Sequence, residues 1–415
     1  MVTWDGSCSV DGSGNASAKL SNGWQPFFKG KTCVIALDYA GDCAGAPTQC
    51  ATRIGYGAAW KPAPSHPNYY DDVGGVVTWD GVCSASGGGS SATLSNGWAP
   101  NFNGSAACDL AFRYTQCGGL YANPVVDVDC PDPGVMRDGD TYIMVCTPGP
   151  KYPIRTSKDL VHWQAAGRVF SDTTKPAWGT GSFWAPEIHK VGGRYVVYFS
   201  ATSSSSGTFA IGAASASSPT GPYTDIGHPL VTEPKPGAID AHYFRASTGK
   251  HYVLWKTDGN AVGKSTPIKI QELAADGLSL LGSPKTLISN TQGWEGALVE
   301  GPWMVERGGE FFLFYSANAY ASASYAIGVA KSSSPTGSFT KRASPILVSK
   351  GRWAGPGHGS VVQGPSGDWV HVYHSWVAGS IQQSPGRVVL VDRIQWEGGW
   401  PLMRGAPSSR SQPLP

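Results

Sequence analysis

Charge is scarce in this sequence. Only 14% of its 415 residues are Asp, Glu, Lys or Arg, and the net charge is +2. That excludes the basic surface on which nucleic acid or an anionic membrane face depends. Long apolar runs are missing as well. None approaches the ~18 residues of a membrane-spanning helix. The chain opens at Met1-Val-Thr-Trp4 without a basic-then-apolar leader, so any signal peptide is expected to have been removed already. Cysteine is absent after Cys146. Seven of the nine fall before residue 120, and Cys130 and Cys146 follow. Dense cysteine in a Gly/Ser-rich stretch points to disulfides and to a secreted protein. The sequons at Asn15 and Asn103 are compatible with secretion.

Turn formers, by contrast, abound, with 55 Gly and 31 Pro, and there are 16 Trp. Most of those rings are expected to fill a core.

Residues 1–122 form a region apart that contains a duplication. Val2-Thr-Trp-Asp-Gly-Ser-Cys-Ser9 returns as Val77-Thr-Trp-Asp-Gly-Val-Cys-Ser84, and Leu20-Ser-Asn-Gly-Trp24 returns as Leu94-Ser-Asn-Gly-Trp98. The expected division is a cysteine-rich unit at 1–58, a linker at 59–75 and a second unit at 76–122. Cys8, Cys33 and Cys43 correspond to Cys83, Cys108 and Cys117. Cys50 has no counterpart unless Cys130 takes that part, which would leave Cys146 a free thiol. Units this small bury little apolar surface and need covalent staples. Nothing in their sequence decides between binding sugar and covering the rest of the chain.

From residue 123 to about 405 a different repeat takes over. Asp132, between Pro131 and Pro133, precedes the turn Asp138-Gly139-Asp140 and an apolar strand-like run, Tyr142 to Val145. The same layout follows Glu187, Asp240, Glu300 and His358, at a spacing of roughly 53 to 60 residues. A repeat of that length, rich in short strands, indicates an all-β, five-bladed β-propeller. Each anchor opens the first strand of a blade, so all five should meet at one end of the central channel. Four acids and a histidine in one funnel are costly unless they do chemistry or hold an ion. Residues 387–396 are expected to close the ring against the first blade, and 406–415 to be a frayed tail.

Crowded carboxyl groups suit glycoside hydrolysis, which needs one protonated and one ionised. Here the chain resembles a known family. Pro131-Asp-Pro-Gly134, Phe183-Trp-Ala-Pro-Glu-Ile188, Ile239-Asp-Ala-His242, Val299-Glu-Gly-Pro302 and Gly355-Pro-Gly-His-Gly-Ser360 are similar to the blade motifs of glycoside hydrolase family 43. That resemblance implies an inverting glycosidase acting on arabinosides or xylosides. It makes Asp132 the general base, Glu300 the general acid, and Asp240 the carboxylate that orients the acid and raises its pKa. His358 matches an axial histidine that holds calcium through water, although no cofactor is required. Arg387 matches a sugar-contacting arginine, and Phe183 and Trp184 are expected to line the pocket. Glu187 stands where the family has aspartate, so it is either structural or a substrate contact. His371 and His374 are expected to be structural.

The activity expected is release of α-L-arabinofuranosyl residues from plant cell-wall arabinan or arabinoxylan by a secreted monomer, with no nucleic-acid or membrane partner. β-D-Xylosidase and endo-arabinanase are the alternatives within the family. A propeller lectin is the non-enzymatic one, but lectin blades carry like residues and these anchors differ. A retaining, invertase-like enzyme lacks support, because the chain has no Arg-Asp-Pro and no Glu-Cys pair.

Overall fold

A computed structural model describes residues 120–409, 412–413 and 415, together with seven short backbone strands between residues 7 and 103. The chain divides into two compact units, one comprising 1–121 with 412–414 and the other 122–411 with 415. In the first unit Ser7–Val10 pairs with Ala16–Asn22, and Phe27–Lys29 runs parallel to Asn101–Asn103. The cysteine pairings and the linker expected before residue 120 lie outside the described residues.

The second unit is a propeller of five antiparallel sheets. The innermost strands are Gly134–Asp138, Gly179–Val191, Ala238–Arg245, Val299–Arg307 and Trp353–Gln363. Each packs on the next, and the fifth returns to the first. Their second strands are almost wholly buried runs, such as Arg194–Ser203 and Glu310–Ala317. Strands covered on both faces become continuously apolar in this way. Between the first two blades the core is aromatic: Tyr152, Phe170, Trp178, Phe183 and Phe199 pack together. Trp255, Trp303 and Trp353 are also buried.

Ring closure differs from the expectation. Val388–Arg393 is the third strand of the fifth blade and does not join the first blade's sheet. Its open edge is covered by the segment that precedes the first blade. Val125 donates its N–H to the Val389 carbonyl at 2.8 Å. The side-chain amide of Asn123 then continues the ladder, donating to Val391 O at 3.1 Å and accepting from Val391 N at 3.0 Å. A long last strand would otherwise leave unpaired backbone groups exposed.

Two further expectations are corrected. Cys146 is not a free thiol, and Cys130 does not serve the N-terminal region, because the two form a disulfide with each other. The hairpin register explains the pairing. Gly134 faces Val145, so the chain before the first strand lies opposite the chain after the second. Closing a loop of this length is worth about 3 kcal/mol, and the loop contains Asp132. The tail is not frayed at its start either. Ser408 accepts the Trp353 indole N–H at 2.7 Å and the Asn123 amide at 2.8 Å, and Gln412–Pro413 pairs with Leu120–Tyr121.

Candidate active site

At one end of the channel the five inner strands share a backbone device. Each contains or closely follows a residue of positive φ: Asp132 (56°), Ala185 (42°), Asp240 (58°), Gly301 (55°) and His358 (38°). For a residue with a side chain this costs of order 1–3 kcal/mol and needs support from its surroundings. The support comes from the end of the neighbouring blade's second strand. Thr147 Oγ1 accepts the Ala185 N–H at 2.9 Å, Ser200 Oγ that of Asp240 at 3.0 Å, Ser316 Oγ that of His358 at 2.8 Å, and His374 Nδ1 that of Asp132 at 3.1 Å. The equivalent position in the third blade is Lys256, opposite Ile239, and lysine cannot accept. There Asp240 Oδ2 takes the Gly301 N–H instead, at 3.1 Å.

This register corrects the five-fold equivalence expected from the sequence. Asp132, Asp240 and His358 are true counterparts. Glu300 lies one residue before the kink of its blade and Glu187 two residues after. The strands slip in register at these kinks in four blades, between Trp184 and Glu187, Ile239 and His242, Glu300 and Trp303, and Gly357 and Gly359. Gly301 is required where it stands, because a Cβ there would lie 2.9 Å from the His358 ring.

Asp132 is buried and surrounded by positive charge. Its Oδ1 accepts from Arg387 Nη1 at 3.0 Å and lies 3.5 Å from His358 Nδ1, while Oδ2 accepts from Thr147 Oγ1 at 2.9 Å. Burial alone would raise its pKa. Arg387 and then His358 outweigh burial and hold the carboxyl well below the usual range. The Arg387 guanidinium is itself fixed, lying 4.7 Å over Tyr320 and 6.0 Å from Trp376.

Glu300 is held by different partners. Lys256 Nζ donates to Oε2 at 2.9 Å and the Tyr325 hydroxyl donates to Oε1 at 2.8 Å. The Tyr325 ring stacks on His374, 5.8 Å between centroids, and so bridges the surroundings of the two acids. Burial raises the Glu300 pKa, but Lys256 and Tyr325 overcome it and the net shift is downward. Asp240 moves the other way. Burial, with the charge of Glu300 added, lifts it to about 6. His358 is raised despite its burial, because Asp132, Asp240, Glu300 and Glu187 all favour its charged form.

Residues 121–401 match the family described as "Glycosyl hydrolases family 43". This chain belongs to that family. The family 43 chain is similar, at 28% identity over 68% of its length, to a "Xylosidase/arabinosidase" of Butyrivibrio fibrisolvens. It is 27% identical over 66% to an "Extracellular exo-alpha-(1->5)-L-arabinofuranosidase" of Streptomyces avermitilis. It spans 56% and 61% of those two proteins' own lengths. Among solved structures, a thermostable family-43 glycoside hydrolase is 33% identical, with a TM-score of 0.66 over 71% of this chain and 99% of the other.

Not every residue expected at the sugar faces the mouth of this family 43 propeller. Trp184 does: it is 43% exposed and packs at a tilt against Phe209, 5.0 Å between centroids. Phe209 also lines a cavity of about 140 Å³ beside the mouth, with Lys235, Asp258 and Val262. Phe183 turns into the inter-blade core against Tyr152 and Phe199, because successive residues of a strand face opposite sides. Glu187 is buried, and its Oε2 meets His189 Nε2 and His242 Nδ1, each at 2.9 Å. These three residues have the spacing of a metal triad. The hydrogen bonds contradict that reading. His242 Nε2 accepts the Met304 N–H at 2.9 Å, so its Nδ1 carries the proton and has no lone pair for a metal.

Calcium takes six to eight oxygen ligands. Around His358 the protein offers one imidazole nitrogen, and the nearby carboxylates Asp132 and Glu300 are engaged by Arg387, Thr147, Lys256 and Tyr325. The residues offer no direct calcium cage; a calcium held through water by His358 is what the resemblance implies, and no step below depends on one.

Lys256, Tyr325, Tyr320 and Thr147 were not singled out in the sequence, and His374 was expected to be structural. One signal was available. Thr147, Ser200, Lys256, Ser316 and His374 each follow an apolar second-strand run, at the spacing of the repeat.

Proposed function

We propose that this chain is an inverting, exo-acting glycosidase that releases α-L-arabinofuranosyl residues from plant cell-wall arabinan or arabinoxylan. The observation that carries this reading is the contrast between its two acids. Asp132 is kept ionised by Arg387 and is suited to take a proton from water. Glu300 is fixed in place by Lys256 and Tyr325, whose contacts lower its pKa and do not raise it as expected for the acid, so the proton it gives to the departing oxygen depends on the neighbouring negative charge. Asp240 lies next to Glu300 through the Gly301 N–H, and its negative charge favours a proton on that acid.

In the proposed step, water gives a proton to Asp132 and its oxygen attacks the anomeric carbon. The glycosidic bond breaks, its electron pair goes to the leaving oxygen, and that oxygen takes the proton of Glu300. Arg387 orients the base and faces the sugar together with Tyr320. The leaving group is placed against Trp184 and the adjoining cavity. The Cys130–Cys146 disulfide and two relatives named extracellular support secretion. We take the working unit to be a monomer that needs no metal for turnover.

β-D-Xylosidase is the second reading, favoured by relatives named for xylosidase activity. Aryl α-L-arabinofuranoside, aryl β-D-xyloside and linear arabinan decide between them. The arabinofuranoside should be cleaved fastest. Faster xyloside cleavage would establish the second reading, preferred cleavage of internal arabinan bonds would establish an endo-enzyme, and inertness towards all three would leave a sugar-binding propeller.

A further inference from the structure

The third blade breaks the pattern that holds the other four, and the break falls on a charged residue. Thr147, Ser200, Ser316 and His374 each accept a backbone N–H from the next blade. A serine in place of Lys256 would serve the same purpose. The chain instead carries an ammonium group there, 1% exposed, and gives the Gly301 N–H to Asp240. Burying a lone cation costs several kcal/mol unless it is paired. Lys256 is paired twice, with Glu300 Oε2 at 2.9 Å and Asp258 Oδ1 at 3.1 Å.

We propose that Lys256, with Asp258 as its counter-ion, is the positioning residue of Glu300. It fixes the carboxyl group on the channel wall and stabilises the anion that remains once Glu300 has given up its proton. The inference rests on Glu300 being the proton donor of the proposed reaction. Lys256 keeps its own proton throughout: Glu300 passes one to the leaving oxygen, and Lys256 donates a hydrogen bond to the carboxylate that results. Asp258 tempers this effect, since an unshared ammonium would bind the anion too well for Glu300 to be reprotonated.

The other groups facing Glu300 are accounted for. Tyr325 donates a hydrogen bond and is uncharged, its own pKa raised by burial. Asp240 and Asp132 are acids and favour a proton on Glu300. His358 opposes it. Tyr325 is backed by His374, which burial keeps neutral, with its pKa lowered to about 4. Lys256 is the cation in direct contact.

Two variants should move the Glu300 titration in opposite directions, which loss of packing alone would not do. Lys256→Met should raise its midpoint by roughly 1–3 pH units, the effect of removing an opposite charge at this range. Asp258→Asn keeps the shape, leaves Lys256 to Glu300 alone, and should lower the midpoint by about one unit. Should Lys256→Met fail to fold with two buried acids unpaired, Asp258→Asn and the double variant supply the two directions. The readout is ¹³C NMR titration of the glutamate carboxyls, assigned with Glu300→Gln, alongside the pH profile of kcat/KM on an aryl glycoside. The alkaline limb should follow the midpoint. An active enzyme whose midpoint stays put in these variants would overturn the inference alone. An inactive wild type with shifted midpoints would overturn Glu300 as proton donor and keep the Lys256 contact.

Discussion

Asp132→Ala is expected to lose about 10²–10⁴-fold in kcat/KM, the range general-base catalysis supplies, and to lose it equally with good and poor leaving groups. The base acts on water and not on the departing oxygen, so leaving-group quality should not soften the loss. Three partners hold the carboxyl in one place: Arg387, Thr147 and His358. Truncation also leaves Arg387 without its acid, although Tyr320 and Trp376 still flank the guanidinium. Asp132→Asn, which keeps the shape, separates this structural cost from the chemistry and should be nearly as inactive. Azide should restore part of the activity of Asp132→Ala, because an anion that is already nucleophilic needs no base. Wild-type kcat/KM should persist as pH falls through the ordinary aspartate range near 3.9, as far as Asp132 is concerned, because its pKa is held well below that. Near-wild-type turnover in Asp132→Asn would remove it from the reaction.

Glu300→Ala should behave differently. With a sugar leaving group the loss should again be about 10²–10⁴-fold. With a leaving group as acidic as dinitrophenol it should nearly vanish, because such an oxygen departs without a proton. Lys256 keeps Asp258 as a partner in this variant, so its charge is not stranded. A Brønsted plot of log kcat against leaving-group pKa should therefore steepen from wild type to Glu300→Ala. Equal losses across the series would deny Glu300 the role of acid.

Both variants concern residues visible in the sequence, while much of what controls them was not. Five blades could be read from the repeat because strand, turn and strand recur with little variation. Asp132, Asp240 and His358 could be read because each stands at a similar distance before the turn and second strand of its blade. Glu187 and Glu300 match the other anchors in charge and approximate spacing, and only the folded strands show that one stands two residues after the kink and the other one residue before it. The Cys130–Cys146 bond was missed because seven upstream cysteines offered other partners, and the hairpin register that pairs them emerges only once the strands form. Phe183 and Trp184 looked alike as aromatic neighbours, yet strand alternation sends one into the core and the other to the mouth. Lys256 resembled an ordinary strand lysine. Its meaning depends on a comparison across blades, where four acceptors and one donor occupy equivalent places.

The stereochemistry of the first-formed product tests the account most directly. A base that activates water needs room for that water, so the two carboxyl groups should be about 6.5–9.5 Å apart, against ~5–5.5 Å in a retaining enzyme. Asp132 opens the first blade and Glu300 the fourth, and these are not neighbours in the ring. ¹H NMR during the first minutes of hydrolysis, before mutarotation, reads the outcome. Aryl α-L-arabinofuranoside should give β-L-arabinose first, with the α signal growing in later. Immediate appearance of the α anomer would make Asp132 a nucleophile and contradict the account.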